Sequence, residues 1–195
     1  MPAARSETID EVLEQTLAHA RLDAPLRAVA ISGSPRSPSK SKTLVEHLLD
    51  ALERHGCETR LIDVAVLPAE ALVVRGQSEE IDDAVAAVGQ AQIVAASSPT
   101  YRALYTGVLK CFFDLMPQGH LAGKVCIGMQ TGTAPQHALS PEYGMRALFA
   151  SLEGLPAMAL YATDAEFVEG QPVEALADRL ERLAGQAVKL ADGLA

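Results

Sequence analysis

Tryptophan is absent from the chain, and aromatic residues make up only 4% of it, so any stacking surface must come from a few tyrosines, phenylalanines and prolines. Cysteine is scarce: Cys57, Cys111 and Cys126 stand apart without a Cys-x-x-Cys or zinc-ligand spacing, which excludes a disulfide framework and a thiolate metal site. His19, His47, His55, His120 and His137 form no ligand pattern either, so no metal is expected. Basic residues are outnumbered, 16 against 25 acidic, and the formal charge of −9 argues against nucleic acid or an anionic membrane as partner. No apolar run approaches about 18 residues, and the N-terminus has no apolar core of signal-peptide length, which implies a cytoplasmic protein. Neither Gly-x-Gly-x-x-Gly nor the Gly-Lys-Ser/Thr ending of a P-loop occurs.

What the chain does have is concentrated in Ile31-Ser32-Gly33-Ser34-Pro35-Arg36-Ser37-Pro38-Ser39-Lys40-Ser41-Lys42-Thr43. A short apolar run, Ala28–Ile31, precedes this stretch, and a helical pattern with Leu44, Val45, Leu48, Leu49 and Leu52 on one face follows it. A loop feeding a helix N-terminus offers unpaired N–H groups and the positive end of the helix dipole, where anions bind. The loop adds the hydroxyls of Ser34, Ser37, Ser39, Ser41 and Thr43 and the cations Arg36, Lys40 and Lys42, more than a turn needs. Gly33 frees the backbone to turn, and Pro35 and Pro38 stiffen the loop. A serine-rich turn that only caps a helix is the plain alternative. A terminal phosphate monoester held by hydroxyls, an arginine and a helix end fits the pattern better, as FMN would supply.

Gly33-Ser34-Pro35-Arg36-x-Pro38-Ser39-x-Ser41 resembles the first loop of the flavodoxin-like NAD(P)H-dependent FMN reductases, in particular those that supply two-component alkanesulfonate monooxygenases. A second stretch, Ser98-Pro99-Thr100-Tyr101-Arg102-Ala103-Leu104-Tyr105-Thr106-Gly107-Val108-Leu109-Lys110, resembles the loop and helix that hold the flavin ring in that family. The resemblance spans about residues 26 to 190, and it implies FMN and NADPH or NADH as ligands and a homodimer or homotetramer.

Along the chain, Thr8–Arg21 reads as a helix with Ile9, Val12, Leu13 and Leu17 in a stripe, so residues 1–25 are expected to be a helical extension and 26–195 the FMN-binding domain. Strands are expected at Ala28–Ile31, Glu58–Val64, Gln92–Ser97, Lys124–Gln130 and Ala157–Ala162, with an irregular connection over 65–77. Helices are expected between them, at about Tyr105–Met116 and Glu142–Leu152 among others, and a last one carries Val173, Leu176, Leu180, Leu183, Ala187 and Leu190. Strands alternating with helices give an α/β fold with an open parallel sheet covered on both faces. Five strands suit the flavodoxin-like order 2-1-3-4-5, whose ligand crevice lies beyond the strand C-termini at the switch between strands 1 and 3.

The polar loops after strands 1, 3 and 4 therefore converge on one rim. The expected ligand contacts are Ser34, Arg36, Ser39, Ser41, Lys42 and Thr43 for the phosphate, with Pro99, Thr100, Tyr101, Thr131, Gly132 and Thr133 around the ring. Ser97 and Ser98 are further donors for the ribityl chain or ring edge, although Ser98-Pro99-Thr100 also reads as a helix-start turn. Arg102 meets an anionic flavin edge or NAD(P)H phosphates, or is a solvated surface residue. Lys110 faces solvent or a subunit, and His137 reads as a surface residue. The family has an aromatic residue near the neighbouring subunit's flavin and a local helix bulge at the position resembled by Tyr143; a plain amphipathic-helix tyrosine is the alternative.

The resemblance implies a hydride passed from a nicotinamide to flavin, which needs no obligatory acid or base, so no catalytic residue is expected, only binding ones. Three activities compete: an NAD(P)H:FMN oxidoreductase passing reduced FMN to a flavin-dependent monooxygenase, an FMN-retaining reductase of quinones, azo dyes or metal ions, and a flavodoxin-type electron carrier. The carrier ranks last, because Gly33-Ser34-Pro35-Arg36 is unlike its Thr- and Gly-rich loop and the chain lacks the usual aromatic sandwich.

Overall fold

The computed structural model describes residues 24–194, and the helix expected over Thr8–Arg21 lies outside them. The strands β1 (Arg27–Ser32), β2 (Glu58–Asp63), β3 (Ile93–Pro99), β4 (Val125–Gly132) and β5 (Leu155–Thr163) form one sheet in the order β2-β1-β3-β4-β5. Every neighbouring pair in it is parallel. The expected topology holds, and β4 runs on to Gly132, so Thr131 and Gly132 end a strand rather than begin a loop.

The helices are α1 (Lys40–Arg54), α2 (Ala69–Leu72), α3 (Glu79–Gln90), α4 (Gly107–Asp114), α5 (Arg146–Ser151) and α6 (Glu174–Asp192). Alternation along the strands divides the core in two. Ala28, Ala30 and Ala95 face Leu44, Leu48, Leu176 and Leu180 of α1 and α6, where small residues let a helix approach the sheet closely. Val29, Ile31, Val94 and Ala96 face Ile81, Val88, Leu109, Phe112 and Phe149 on the other side. There Phe113 meets Phe112 and Phe149 edge to face, at centroid distances of 6.2 and 5.8 Å.

Two further features depart from the sequence reading, and a third, the helix bulge that the resemblance implies at Tyr143, is present. The connection over 65–77 contains the short helix α2. A hairpin, β6 (Phe167–Val168) with β7 (Gln171–Pro172), follows β5. The helix expected from Glu142 opens with a π turn, Pro141–Met145, in which the Arg146 N–H donates to the carbonyl of Pro141, five residues back. Gly128 lets that turn sit on β4, since a Cβ there would lie 2.9 Å from Met145 Cβ.

Candidate functional site

The register places Ser32, Ser97 and Met129 side by side near the C-terminal ends of β1, β3 and β4, so the loops that leave these strands share one rim. Between them lies a crevice of about 350 Å³, lined by Ser39, Lys40, Pro99, Thr100, Tyr101, Thr131, Gly132, Thr133 and Asp164. Seven of these are residues named from the sequence as ligand contacts, contributed by all three expected loops.

The first loop is held from both sides. Gly33 N–H donates to the Ser97 carbonyl at 2.7 Å, and the Thr106 hydroxyl donates to the Gly33 carbonyl. Gly33 is needed for packing rather than for a sharp turn: it has no positive φ, but a Cβ would lie 2.8 Å from Leu109 Cβ. The Ser34 hydroxyl is buried, accepting from Arg36 N–H at 3.1 Å and donating to the Arg36 carbonyl at 2.9 Å, so it shapes the loop. Arg36 itself is exposed, and among the described residues its guanidinium has no ion-pair partner.

At the start of α1 the cap residue, Ser39, gives no side-chain acceptor to the helix, and no acidic residue stands in the first turn. Its hydroxyl bonds instead to that of Ser41 at 2.8 Å. By contrast, α3 is capped by Ser78 and carries Glu79, Glu80 and Asp82 in its first turn. The α1 N-terminus therefore keeps its positive end uncompensated and open to an anion. Thr43 is half-buried in that first turn, and its N–H is already bonded to the Ser39 carbonyl. Lys42 turns away to Asp63 at the end of β2, at 2.8 Å, a hydrogen bond that holds its ammonium above the ordinary lysine range.

Asp164, just past β5, is a lining residue that the sequence reading missed. Its carboxylate meets Lys40 at 3.0 Å and accepts from the Thr133 hydroxyl at 2.9 Å, and these contacts, Lys40 first, hold its pKa below the usual range. The signal was its place: the first acid after the last strand, on the same rim as the other loops. Lys40 was visible as one of three loop cations, and the ion pair brings it to the wall.

The second loop leaves β3 as a tight turn, with Tyr101 N–H donating to the Leu104 carbonyl at 2.8 Å and Leu104 N–H returning the bond at 3.1 Å. Arg102 and Ala103 at its tip both take positive φ, 53° and 66°. Arg102 projects outward and does not line the crevice. Ser97 and Ser98 are fully buried, which removes them as ring donors: Ser98 Oγ donates to the Pro99 carbonyl at 2.9 Å and accepts from Thr106 N–H at 3.0 Å. Among the described residues Ser97 Oγ, like its register neighbour Ser32 Oγ, has no hydrogen-bond partner.

At the third loop Thr100 N–H donates to the Thr131 carbonyl at 2.7 Å, joining two walls of the crevice. Gly132 leaves room for Tyr161, whose hydroxyl would lie 2.6 Å from a Cβ there and which donates to the Ala134 carbonyl at 2.8 Å. Burial raises the Tyr161 phenol above its usual range. Tyr143 sits in the π turn and is 57% exposed; with Tyr101, Leu104 and Leu139 it is among the exposed large apolar residues of this end of the molecule. Lys110 is exposed and paired with Asp114. His137 lies in a short 3₁₀ turn, Pro135–His137.

An open helix N-terminus, two cations, hydroxyls and a proline- and tyrosine-lined crevice suit a planar ring carrying a phosphate, the group that FMN provides. The comparisons agree. Residues 26–168 match the family described as NADPH-dependent FMN reductase. The chain is 32% identical over 160 residues to an FMN reductase (NADPH) of Pseudomonas putida, covering 78% of this chain and 81% of that one. It is 34% identical over 153 residues to the NADH-dependent FMN reductase SfnF of Pseudomonas fluorescens, covering 75% and 81%. Among solved structures, the apo form of an NADH:FMN oxidoreductase superposes with a TM-score of 0.77 at 29% identity, covering 87% of this chain and 90% of that one. The chain belongs to the NADPH-dependent FMN reductase family and is an NAD(P)H:FMN oxidoreductase.

Proposed function

We propose that the crevice binds FMN as a substrate that is reduced and then leaves, supplying reduced flavin to a partner monooxygenase in the cytoplasm. The observation that carries this reading is the convergence of the three loops on one shallow cleft beside the uncapped start of α1. In this reading the N–H groups at the start of α1, the Ser39 hydroxyl, Arg36 and Lys40 hold the phosphate. Ser34 and Ser41 shape that loop from within, and Lys42 fixes the helix start through Asp63. Pro99, Thr100 and Tyr101 on one side and Thr131, Gly132 and Thr133 on the other hold the ring.

Bound FMN supplies the hydride-accepting centre. The chain's own residues bind and orient it, and no side chain is required to move a proton. NAD(P)H shares the same crevice, since no second nucleotide-binding fold exists among the described residues. The monooxygenase partner is suggested by the SfnF relatives, and a homo-oligomer by the exposed Tyr101, Leu104, Leu139 and Tyr143 beside the π turn, a surface that a second copy would cover. Among the described residues no helix is long and apolar enough to cross a membrane.

The test is steady-state oxidation of NADH and NADPH by apoprotein, with and without added FMN, FAD and riboflavin. Turnover that saturates with added FMN is expected; turnover independent of added flavin, with FMN retained through purification, would overturn release. Arg36→Ala should raise the KM for FMN about tenfold, the loss of one charge-assisted bond. Unchanged saturation would remove Arg36 from the site. Light scattering at micromolar protein should return a dimer or tetramer, and a monomer would contradict the shared surface.

A further inference from the structure

Behind the crevice wall lies a small polar network that the binding reading leaves unused. Gln130, near the end of β4, and Ser140, just before the π turn, are both fully buried. Ser140 Oγ lies 2.6 Å from Gln130 Oε1 and 3.0 Å from the Ala103 carbonyl, and Gln130 Nε2 lies 3.4 Å from Thr100 Oγ1. A hydroxyl carries one hydrogen, so Ser140 cannot donate to both oxygens. Turning the Gln130 amide over satisfies every member: its N–H₂ donates to Ser140, Ser140 donates to the Ala103 carbonyl, and Thr100 donates to the Gln130 carbonyl oxygen.

In that arrangement three pieces of the site depend on one side chain. Ala103 is one of the two left-handed residues at the tip of the Tyr101–Leu104 turn, a backbone that persists only when its surroundings hold it. Ser140 pins the Ala103 carbonyl, while Leu104 packs on Gly144, where a Cβ would stand 2.9 Å from Leu104 Cδ2. The turn that carries Tyr101 is thus fastened to the π turn that carries Tyr143. Thr100 lines the crevice, and with its hydroxyl hydrogen taken by Gln130 its oxygen is left to act only as an acceptor, toward the neighbouring Tyr161 hydroxyl or a ligand.

We propose that Gln130 is a positioning residue for flavin binding: it orients the Thr100 hydroxyl as an acceptor and, through Ser140, holds the Tyr101–Leu104 turn against the π turn. The proposal rests on the reading of the crevice as the flavin site, so the experiment separates the two. FMN affinity is measured by quenching of flavin fluorescence, with the bound-flavin absorption spectrum, for Thr100→Val, Gln130→Leu, Ser140→Ala and the Gln130→Leu/Ser140→Ala pair. Thr100→Val and Gln130→Leu should each weaken FMN about fivefold and shift the bound spectrum, Ser140→Ala about threefold, and the pair no more than about twofold beyond Gln130→Leu. Ser140→Ala removes a single oxygen and keeps the test open if Gln130→Leu folds poorly.

A Thr100→Val protein that binds FMN normally would sink the site reading itself. If Thr100→Val weakens FMN while Gln130→Leu or Ser140→Ala changes only the melting temperature, leaving affinity and spectrum in place, Gln130 is structural and the proposal is wrong. Multiplying, independent effects in the pair would also overturn it.

Discussion

Gly33→Ala distinguishes two reasons for a glycine in the first loop, because they predict opposite signs. The backbone there is compatible with any residue, since φ is not positive. Taken alone, alanine would then stabilise the protein by about 0.4–1 kcal/mol by restricting the unfolded chain. Packing opposes this. The new Cβ would stand 2.8 Å from Leu109 Cβ and 2.9 Å from both of its Cδ atoms, and Leu109 is fully buried. The nearest of these atoms is fixed to the α4 backbone and cannot swing aside, so the loop must lift. Overpacking of this kind costs about 1–3 kcal/mol. Lifting also strains the Gly33 bonds to the Ser97 carbonyl and the Thr106 hydroxyl, each worth about 1 kcal/mol. The net expectation is a loss of about 2 kcal/mol. Leu109→Gly, which removes the Cβ itself, should cost about 3–6 kcal/mol, the lost leucine packing plus about 1 kcal/mol for glycine in a helix. In that background Gly33→Ala should be neutral or mildly stabilising, because its methyl now enters vacated space. Urea unfolding followed by far-UV circular dichroism on the four proteins measures the coupling, expected to be at least about 1.5 kcal/mol. A single mutant more stable than the parent, or single effects that add within about 0.5 kcal/mol, would refute the reasoning.

Three further outcomes follow from the same structure. Ser97→Ala removes a fully buried hydroxyl without a partner and should raise stability by about 1 kcal/mol, seen as a melting temperature higher by roughly 2–4 °C; a lower one would show that the hydroxyl is bonded. Burial pushes the Cys126 thiol up to about 12 and raises that of Cys57, whereas Cys111 is only half-buried, so iodoacetamide at pH 8 should label Cys111 alone in the native protein by peptide mass; comparable labelling of Cys126 would contradict this. The Lys42–Asp63 hydrogen bond raises the folded-state pKa of Lys42, so its contribution to stability is full below the unfolded value of about 10.4 and fades as pH rises through the folded one. Lys42→Met should therefore narrow its stability deficit between pH 9 and 12, and a constant deficit in urea midpoints would discount the ion pair.

The fold was legible because its signals are local and repeated. Ala28–Ile31 and Ile93–Ser97 are apolar on both sides, which only strands sandwiched between helix layers tolerate, and the leucines of α1 and α6 keep helical spacing. The rim was legible because topology alone brings the ends of β1, β3 and β4 together. What stayed hidden depends on which way a side chain points. Ser97 and Ser98 look like ligand donors in a list of residues, but strand alternation and the turn at Thr106 bury both. Asp164 gave no motif, because one carboxylate after a strand becomes part of the wall only when Lys40 and Thr133 reach it from other loops. The turn at Arg102 and Ala103 carries no glycine or asparagine, so nothing local announces its left-handed backbone; Ser140 and Gly144, distant in sequence, hold it there. The π turn is a single-residue change of winding, which hydrophobic periodicity over so short a helix does not resolve.

If Lys40 receives the flavin phosphate as proposed, its ion pair with Asp164 makes ligand entry an exchange. The ammonium already has a resident carboxylate at 3.0 Å, so an incoming anion gains only the difference between itself and that carboxylate. A monoester phosphate, carrying about −1.5 to −2 at neutral pH, wins such a contest, whereas a singly charged diester or carboxylate roughly ties. On that reading the crevice would select by charge number without a deep pocket, and the lysine would be re-neutralised from within when the dianion departs.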